Sequence, residues 1–263
     1  MGTTREQQMP AFDAASPTVR PSSTGSAPNP GIGPESHRGA GRANGMTTTD
    51  RSEEDGMARS MPMFPLGTVL MPNMVLPLHI FEPRYRTMFQ DLMSGDREFG
   101  VVQIARGSET GGGDVRLDVG TVARVLQAEE LDDGRWVAVT VGIRRIRVVE
   151  WYPDDPYPQA LVEELAEDGI DDAVRTRRDE LVPRVRRLLA LRSELGDETV
   201  PSTFEVARDN AVACWQLLVL TPLGGLDAQA LLETDGWDQR LDRFAGLLTE
   251  LEEMSDLELH GRD

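Results

Sequence analysis

A change of hydrophobic period near residue 167 divides the sequence into two parts. Between residues 61 and 166 the apolar residues form short runs separated by Gly, Pro and Asp, as in strands and turns. Between residues 170 and 258 they recur every three or four positions, as on one face of a helix. The acidic stretch EDGIDD separates the two patterns. We therefore predict an α+β fold in which a small antiparallel β barrel with one short helix precedes a C-terminal helical bundle.

The prolines limit what the first two runs can form. Three prolines make Met61–Pro72 an edge or irregular strand, and Pro77 interrupts the extended run Met74–Phe81. A helix is predicted from Glu82-Pro83 to about Met93, because proline is tolerated in a first turn and a carboxylate suits the positive helix end. Further strands are predicted at Phe99–Ala105, Val119–Glu130, Arg135–Val141, Arg144–Tyr152 and Tyr157–Leu165.

The second part is predicted to hold four helices. The first is kinked or restarted at Pro183, and its apolar residues Val174, Leu181, Val182, Val185, Leu188 and Leu189 share one face. The predicted ranges are Ala173–Leu195, Ser202–Leu220, Leu226–Leu232 and Trp237–Leu257.

Residues 1–60 are rich in Gly, Pro, Ser and Thr and hold few large apolar side chains. Such a segment is expected to be a disordered tail, because little surface is available to offset the entropy of ordering. The alternative is a true translation start at Met46, Met57 or Met61. No apolar region of a secretory signal follows the first residue, and no run reaches the ~18 apolar residues of a membrane span. We therefore expect a cytoplasmic protein without a membrane partner.

Charge and composition exclude several classes of function. The net charge of −18 opposes a phosphate backbone, so nucleic acid is not expected as the main partner. All 27 basic residues are Arg. Without lysine the chain holds no phosphate-binding loop of the Walker type, no Ser–Lys dyad and no Schiff-base lysine. A lone cysteine, Cys214, excludes an intrachain disulfide and a multi-cysteine zinc site.

The segment FPLGTVLMPNMVLPLHIFEPRYRTMFQDLM, Phe64 to Met93, resembles the opening of the substrate-binding domain of Lon proteases. FGVV at Phe99, VGTVARV at Val119, GIRRIRVVE at Gly142 and the segment at Pro156 match in the same order, and ALLE at Ala230 fits the family's short late helix. The resemblance covers about residues 61–257. The residues that carry it, which we expect to be structural, are Phe64, Pro65, Leu66, Pro77, Ile80, Phe81, Glu82, Pro83, Arg84, Tyr85 and Gly120.

The resemblance implies a PUA-like pseudobarrel that binds unfolded or exposed polypeptide segments. It also implies a stand-alone adaptor or regulator acting beside a separate protease. Because the chain lacks lysine and has a single cysteine, we expect it to be non-catalytic, with no cofactor and no metal. Two alternatives stay open: a PUA-like RNA-binding protein, and a hydrolase that uses the barrel mouth.

Individual residues offer few candidates for chemistry. Cys214 and His79 are interpreted as inert core residues and not as a nucleophile and base, because each lies in an apolar run. The pairs Asp132-Asp133, Asp154-Asp155 and Asp171-Asp172 fall at predicted turns or linkers, where Asp is favoured. One set could meet an anionic partner, but we expect a solvated face bridged to local acids. This set is Arg144, Arg145, Arg147, Arg175, Arg177, Arg178, Arg184, Arg186 and Arg187.

Overall fold

The computed structural model describes residues 58–107 and 113–261. The predicted tail lies outside these residues, except that the first strand already begins at Arg59. Within the described ranges the order of elements is β1 (Arg59–Leu66), β2 (Val75–Ile80), α1 (Pro83–Met93), β3 (Glu98–Arg106), β4 (Val115–Glu130), β5 (Trp136–Trp151), β6 (Gln159–Glu164), α2 (Asp172–Leu195), α3 (Asn210–Leu220), α4 (Gly225–Glu233) and α5 (Trp237–His260).

The six strands form one sheet that closes on itself. Its order is β2-β5-β4-β3-β1-β6, and β6 also pairs with the second half of β5. Five strands thereby complete a ring, and β2 is attached to the first half of β5. The predicted barrel followed by helices is confirmed. One pair departs from the antiparallel pattern, since β1 runs parallel to β3.

Of the two predicted alternatives, an edge strand or an irregular strand, the second describes β1, which lies between β3 and β6. The strand changes partner halfway: Arg59–Pro62 pairs with β6, and Met63–Leu66 pairs with β3. Each half is thus paired along one side, which explains how Pro62 and Pro65 are accommodated without a donated N–H.

The prediction of two strands on either side of Gly142 is wrong, because β5 is continuous from Trp136 to Trp151. Gly142 is needed for a close approach and not for a turn. A Cβ at this position would lie 2.3 Å from the carbonyl oxygen of Met71. Its N–H donates to the carbonyl of Met74 at 3.0 Å, which ties the strand to the segment before β2.

Helix α1 has the predicted bounds, with Glu82 at its N-cap and Ser94 at its C-cap. The second predicted helix begins eight residues late, at Asn210, because the side chain of Asp209 caps it by accepting from the N–H of Val212. Helix α2 is a single helix through Pro183, so the predicted restart at this residue is wrong. Its predicted apolar face is buried throughout.

Two buried arginines join the barrel to the helices. Arg145 of β5 and Arg240 of α5 are 1% and 0% exposed, and both bind the carboxylate of Glu167. Both also donate to carbonyls at the end of α4: Arg145 to Leu232 at 2.9 Å, and Arg240 to Thr234 at 2.6 Å.

The guanidinium of Arg240 is sandwiched between two indoles. It lies 4.6 Å from the ring centroid of Trp215 and 4.5 Å from that of Trp237. Burial lowers the pKa of Arg240, and the carboxylate of Glu167 opposes that shift. Arginine titrates so far above neutral pH that the group stays cationic. Glu167 is therefore the carboxylate that the two buried cations share, and Arg145 also lies 3.5 Å from the exposed carboxylate of Asp235.

We expect Glu167→Gln to lower the free energy of unfolding by about 3 kcal/mol, because Arg240 loses its ion pair and Arg145 keeps only Asp235, at 3.5 Å. Chemical denaturation of the variant and of Glu253→Gln, an exposed α5 residue with no ion pair among the described residues, measures the difference. A loss below about 0.5 kcal/mol, which is typical of surface substitutions, would show that the α4 carbonyls suffice.

Candidate functional site

Strand β2 has one open edge. Among residues 58–107 and 113–261 it pairs with β5 alone, and its side chains alternate strictly between exposed and buried from Val75 to Ile80. Leu76, Leu78 and Ile80 enter the barrel core, whereas Pro77 and His79 face outward with Val75, which is 56% exposed. An open edge of this kind is a template for pairing with another extended chain.

The main chain at this edge offers hydrogen-bonding groups. Met74 accepts the N–H of Gly142, and hydrogen-bonded pairs alternate along an antiparallel ladder. The backbone groups of Val75, Pro77 and His79 are therefore directed away from β5. Because proline has no N–H, the edge presents donors at positions 75 and 79 and carbonyl acceptors at all three.

A groove of about 190 Å³ runs between β2 and the second half of β1, which are not paired with each other. We call it the edge groove. Apolar side chains make most of its walls, and the first turn of α1 closes it. Its lining residues are Phe64, Leu66, Pro77, Leu78, His79, Ile80, Phe81, Glu82 and Tyr85.

A second groove, of about 100 Å³, lies on the other side of the end of β2, against the β4–β5 hairpin. We call it the hairpin groove, and its lining residues are His79, Ile80, Phe81, Leu131, Arg135 and Trp136. Both grooves share the last residues of β2 and Phe81, whose side chain is 57% exposed. Phe81 is thus an aromatic ridge between two apolar depressions.

A continuous row of aromatic rings lies beneath the two grooves. Tyr85 stacks on Phe64 with ring centroids 4.1 Å apart. The row continues through Phe99 at 6.0 Å and Phe89 at 5.8 Å to Trp136 at 6.3 Å. Packed aromatic rings form a rigid floor, since such pairs are constrained in separation and angle.

Comparison with known proteins gives this arrangement a family. The model of the ATP-dependent protease La (LON) substrate-binding domain matches residues 60–250. The chain belongs to the Lon substrate-binding domain family. A Lon protease from Trichlorobacter lovleyi is 28% identical over 221 residues, covering 79% of this chain and 26% of that protein. Lon protease 2 from Herpetosiphon aurantiacus is 26% identical, with 76% and 25% covered. The chain thus spans about a quarter of the length of these relatives.

Solved structures agree with the Lon assignment. A Lon N-terminal domain protein from Xanthomonas campestris superimposes with a TM-score of 0.51 at 26% identity, covering 72% of this chain and 98% of that one. The N-terminal domain of a Mycobacterium avium complex Lon protease gives a TM-score of 0.54 at 18% identity, with 73% and 97% covered, and so shows the fold alone.

The Lon-like residues at the start of α1 combine packing with a place at the groove. Tyr85 is 3% exposed, and burial raises the pKa of its hydroxyl to about 12. Glu82 makes no side-chain cap and instead accepts from Arg84 at 3.1 Å, while the Arg84 guanidinium lies 4.5 Å from the Tyr85 ring centroid. Glu82 and Tyr85 also line the edge groove. The purely structural role expected for these residues stays a prediction.

Gly120 of the family pattern lies in β4 opposite Val102. A Cβ added here would lie 2.1 Å from the carbonyl oxygen of Val101, so any side chain displaces the neighbouring strand.

We expect Gly120→Ala to lower the free energy of unfolding by about 2–3 kcal/mol through overpacking. Gly246→Ala in α5 is the matched control. It meets no atom within 4 Å and should raise stability by about 0.5–1 kcal/mol through helix propensity. Urea denaturation of both variants checks the pair, and equal stability changes would contradict the close approach.

Cys214 and His79 are placed far apart in the architecture. Cys214 is fully buried among the helices, and burial raises the pKa of its thiol to about 11, as expected for inert core. The core placement of His79 is wrong, because this residue is exposed on β2 and lines both grooves. The period-two alternation in VLPLHI carried the signal for its exposure.

Asp133 and Asp171 make the predicted local hydrogen bonds, whereas Asp154 forms an ion pair with a distant residue. Asp133 accepts from the main-chain N–H of Arg135 at 3.1 Å in the β4–β5 turn. Asp171 caps α2 by accepting from the N–H of Val174 at 2.9 Å. Asp154 binds the guanidinium of Arg116 at 2.6 Å. Within residues 58–107 and 113–261, no group of three or more His, Cys, Asp or Glu is placed to hold a metal ion, and no helix there is long and apolar enough to cross a membrane.

The candidate arginines are occupied within the molecule. Arg177, Arg184 and Arg187 of α2 pair with acidic residues of α5, which confirms the prediction of arginines bridged to nearby acids. Arg186 donates to the carbonyl of Phe204 and lies over its ring. The prediction of a solvated side chain is wrong for Arg145, which is buried at the junction between the barrel and the helices. It is also wrong for Arg178, which is 8% exposed and bonded to Asn210 and Asp179. Arg144, Arg147 and Arg175 pair with nearby carboxylates.

The sequence analysis did not predict the hairpin groove, which β2 and the β4–β5 hairpin form together. Leu131, Arg135 and Trp136 join His79 only because β2 pairs with β5 in a register that sets His79 beside Val137. Such a juxtaposition depends on pairing between distant segments and leaves no local motif.

Proposed function

We propose that this chain is a non-catalytic module that binds unfolded or exposed polypeptide segments along the open edge of β2. One observation carries the proposal: among the described residues β2 has an unpaired edge that borders the apolar edge groove, and the exposed aromatic residue Phe81 lies at the end of this groove. Main-chain hydrogen bonding to a strand edge gives affinity with little demand on sequence. The apolar walls of the edge groove suit the side chains of an exposed core segment.

Pro77 favours transient over stable binding at the open edge of β2. It removes one donor from the middle of the strand, which weakens continuous pairing with another strand and limits self-association. Ordering a flexible client also offsets part of the binding free energy. We therefore propose dissociation constants in the micromolar range, on the order of 10⁻⁶ M. Such affinity suits an adaptor or regulator that passes clients to a separate protease.

The absence of catalysis is proposed on composition and placement. These 263 residues contain no lysine, so they cannot supply a Ser–Lys dyad or a Walker-type loop. The family match is to the substrate-binding domain. The arginines that favoured RNA as an alternative partner are bound to carboxylates and carbonyls of the chain itself, which supports polypeptide as the partner. We also propose a cytoplasmic location, in keeping with the single cysteine.

Titration of the full chain with reduced, alkylated lysozyme, followed by fluorescence anisotropy, tests the proposal. Phe81→Ala is expected to weaken binding about tenfold, because exposed aromatic residues are frequent hot spots. Leu226→Ala is the matched control: it also truncates an exposed apolar residue, but on α4. Its affinity should equal that of the unmodified chain.

Three results would contradict the proposal. These are no binding of the unfolded protein at any concentration, equal loss in both variants, or turnover of ester, peptide or phosphate substrates. Salt-dependent retention on RNA without polypeptide binding would favour the RNA-binding alternative.

A further inference from the structure

The outer face of the sheet is apolar beside the open edge of β2. On the part of β5 that pairs with β2, the outward side chains are Val137, Val139 and Val141, and all three are half-buried. None of them packs against a buried apolar cluster of the described residues. On β2, Val75 lies opposite Val141, and Pro77 lies opposite Val139. An antiparallel sheet usually carries polar residues on its solvated face, so this stretch departs from the ordinary pattern.

Charged residues on this outer face begin one strand further from the edge. Of the outward residues on β2 and on the paired part of β5, only His79 is titratable. The charged residues lie on β4, where Arg124 is opposite Val141 and Glu129 is opposite Val137. An apolar side chain placed beside β2 on this face therefore displaces water without removing water from a charged group.

A segment that pairs with the open edge meets an apolar surface on both of its faces. Such a segment extends the sheet, so its side chains alternate between the two faces, and residues directly opposite each other share a face. Its side chains opposite Leu78 and Ile80 point inward, into the edge groove. Those opposite Val75 and Pro77 point outward and lie on the same face as the valines of β5. This holds for either direction of the segment.

We infer that the open edge of β2 selects segments whose consecutive residues are apolar, over segments in which apolar and polar residues alternate. Consecutive apolar residues are typical of strands that are buried on both faces inside a folded protein. Unfolding exposes such strands, whereas an alternating strand already has one face in solvent in the native state. The inference rests on the proposed function, because it defines which polypeptides the open edge prefers.

Two labelled peptides of equal composition test the preference. In the first, the apolar residues are consecutive and match the length of β2, six residues, with Ser on both sides. In the second, the same apolar residues alternate with Ser, so that only one face of the peptide is apolar in any register. Anisotropy titrations of the full chain should give the consecutive peptide about tenfold higher affinity, because it makes apolar contacts on both faces. Light scattering checks that both peptides are monomeric at the concentrations used.

The double variant Val75→Thr and Val139→Thr makes the outer face more polar. Threonine is also β-branched and favours strands, so both strands keep their preferred side-chain shape. The variant should reduce the preference to about threefold by weakening the consecutive peptide. Its affinity for the alternating peptide should not change, because that peptide can bind with its apolar face in the edge groove. The unchanged affinity also establishes that the variant is folded.

The matched control is the double variant Val115→Thr and Val149→Thr. Both of these valines are exposed on strands, at 46% and 55%, and neither lies opposite a residue of β2. The control makes the same chemical change at two other places on the sheet surface. It should keep the full preference for the consecutive peptide.

The outcomes separate the inference from the proposed function. Equal affinity for the two peptides overturns the inference, while binding itself upholds the proposed function. A full preference in the variant at Val75 and Val139, or an equal loss in both double variants, also overturns the inference, because the outer face beside β2 would then not be the cause. Failure of the unmodified chain to bind either peptide or the unfolded lysozyme overturns both.

Discussion

Arg145 and Arg240 hold the barrel and the helices together because both reach the same carboxylate, that of Glu167. Two cations with almost no exposure require an anion, and the acidic linker between the two halves supplies it. The carbonyls at the end of α4 complete their hydrogen bonds, and the stacking of Arg240 between two indoles fixes its position. Changing Glu167 therefore affects both halves, even though it lies in neither.

The hydrophobic spacing of the sequence correctly predicted the elements that depend on interactions within a few residues. The 3.6-residue spacing of Tyr85, Met88, Phe89 and Leu92 and the proline at 83 placed α1 correctly, since amphipathicity and first-turn chemistry act within a few residues. The change of period near residue 167 likewise predicted the α+β division. The resemblance to Lon substrate-binding domains added the pseudobarrel, and the family match confirmed the membership.

What the pattern could not predict depends on contacts between distant segments. Gly142 resembled a break between strands, but its role is set by the carbonyl of Met71. In the sequence, nothing distinguishes Arg145 from the arginines beside it. It is buried because β5, the linker and α4 meet around its side chain. The grooves arise in the same way, because Trp136 meets His79 only through the register of β2 on β5.

The change of partner within β1 bears on how the chain folds. Its second half pairs with β3, about 40 residues onward, whereas its first half pairs with β6, about 100 residues onward. Closing such long loops costs chain entropy before any contact compensates for it. During synthesis β1 is made about 100 residues before its partner β6, so closure of the ring follows the formation of the other strand pairs. Until then, the nascent chain itself contains exposed, unpaired segments of the kind that we propose it binds in other proteins.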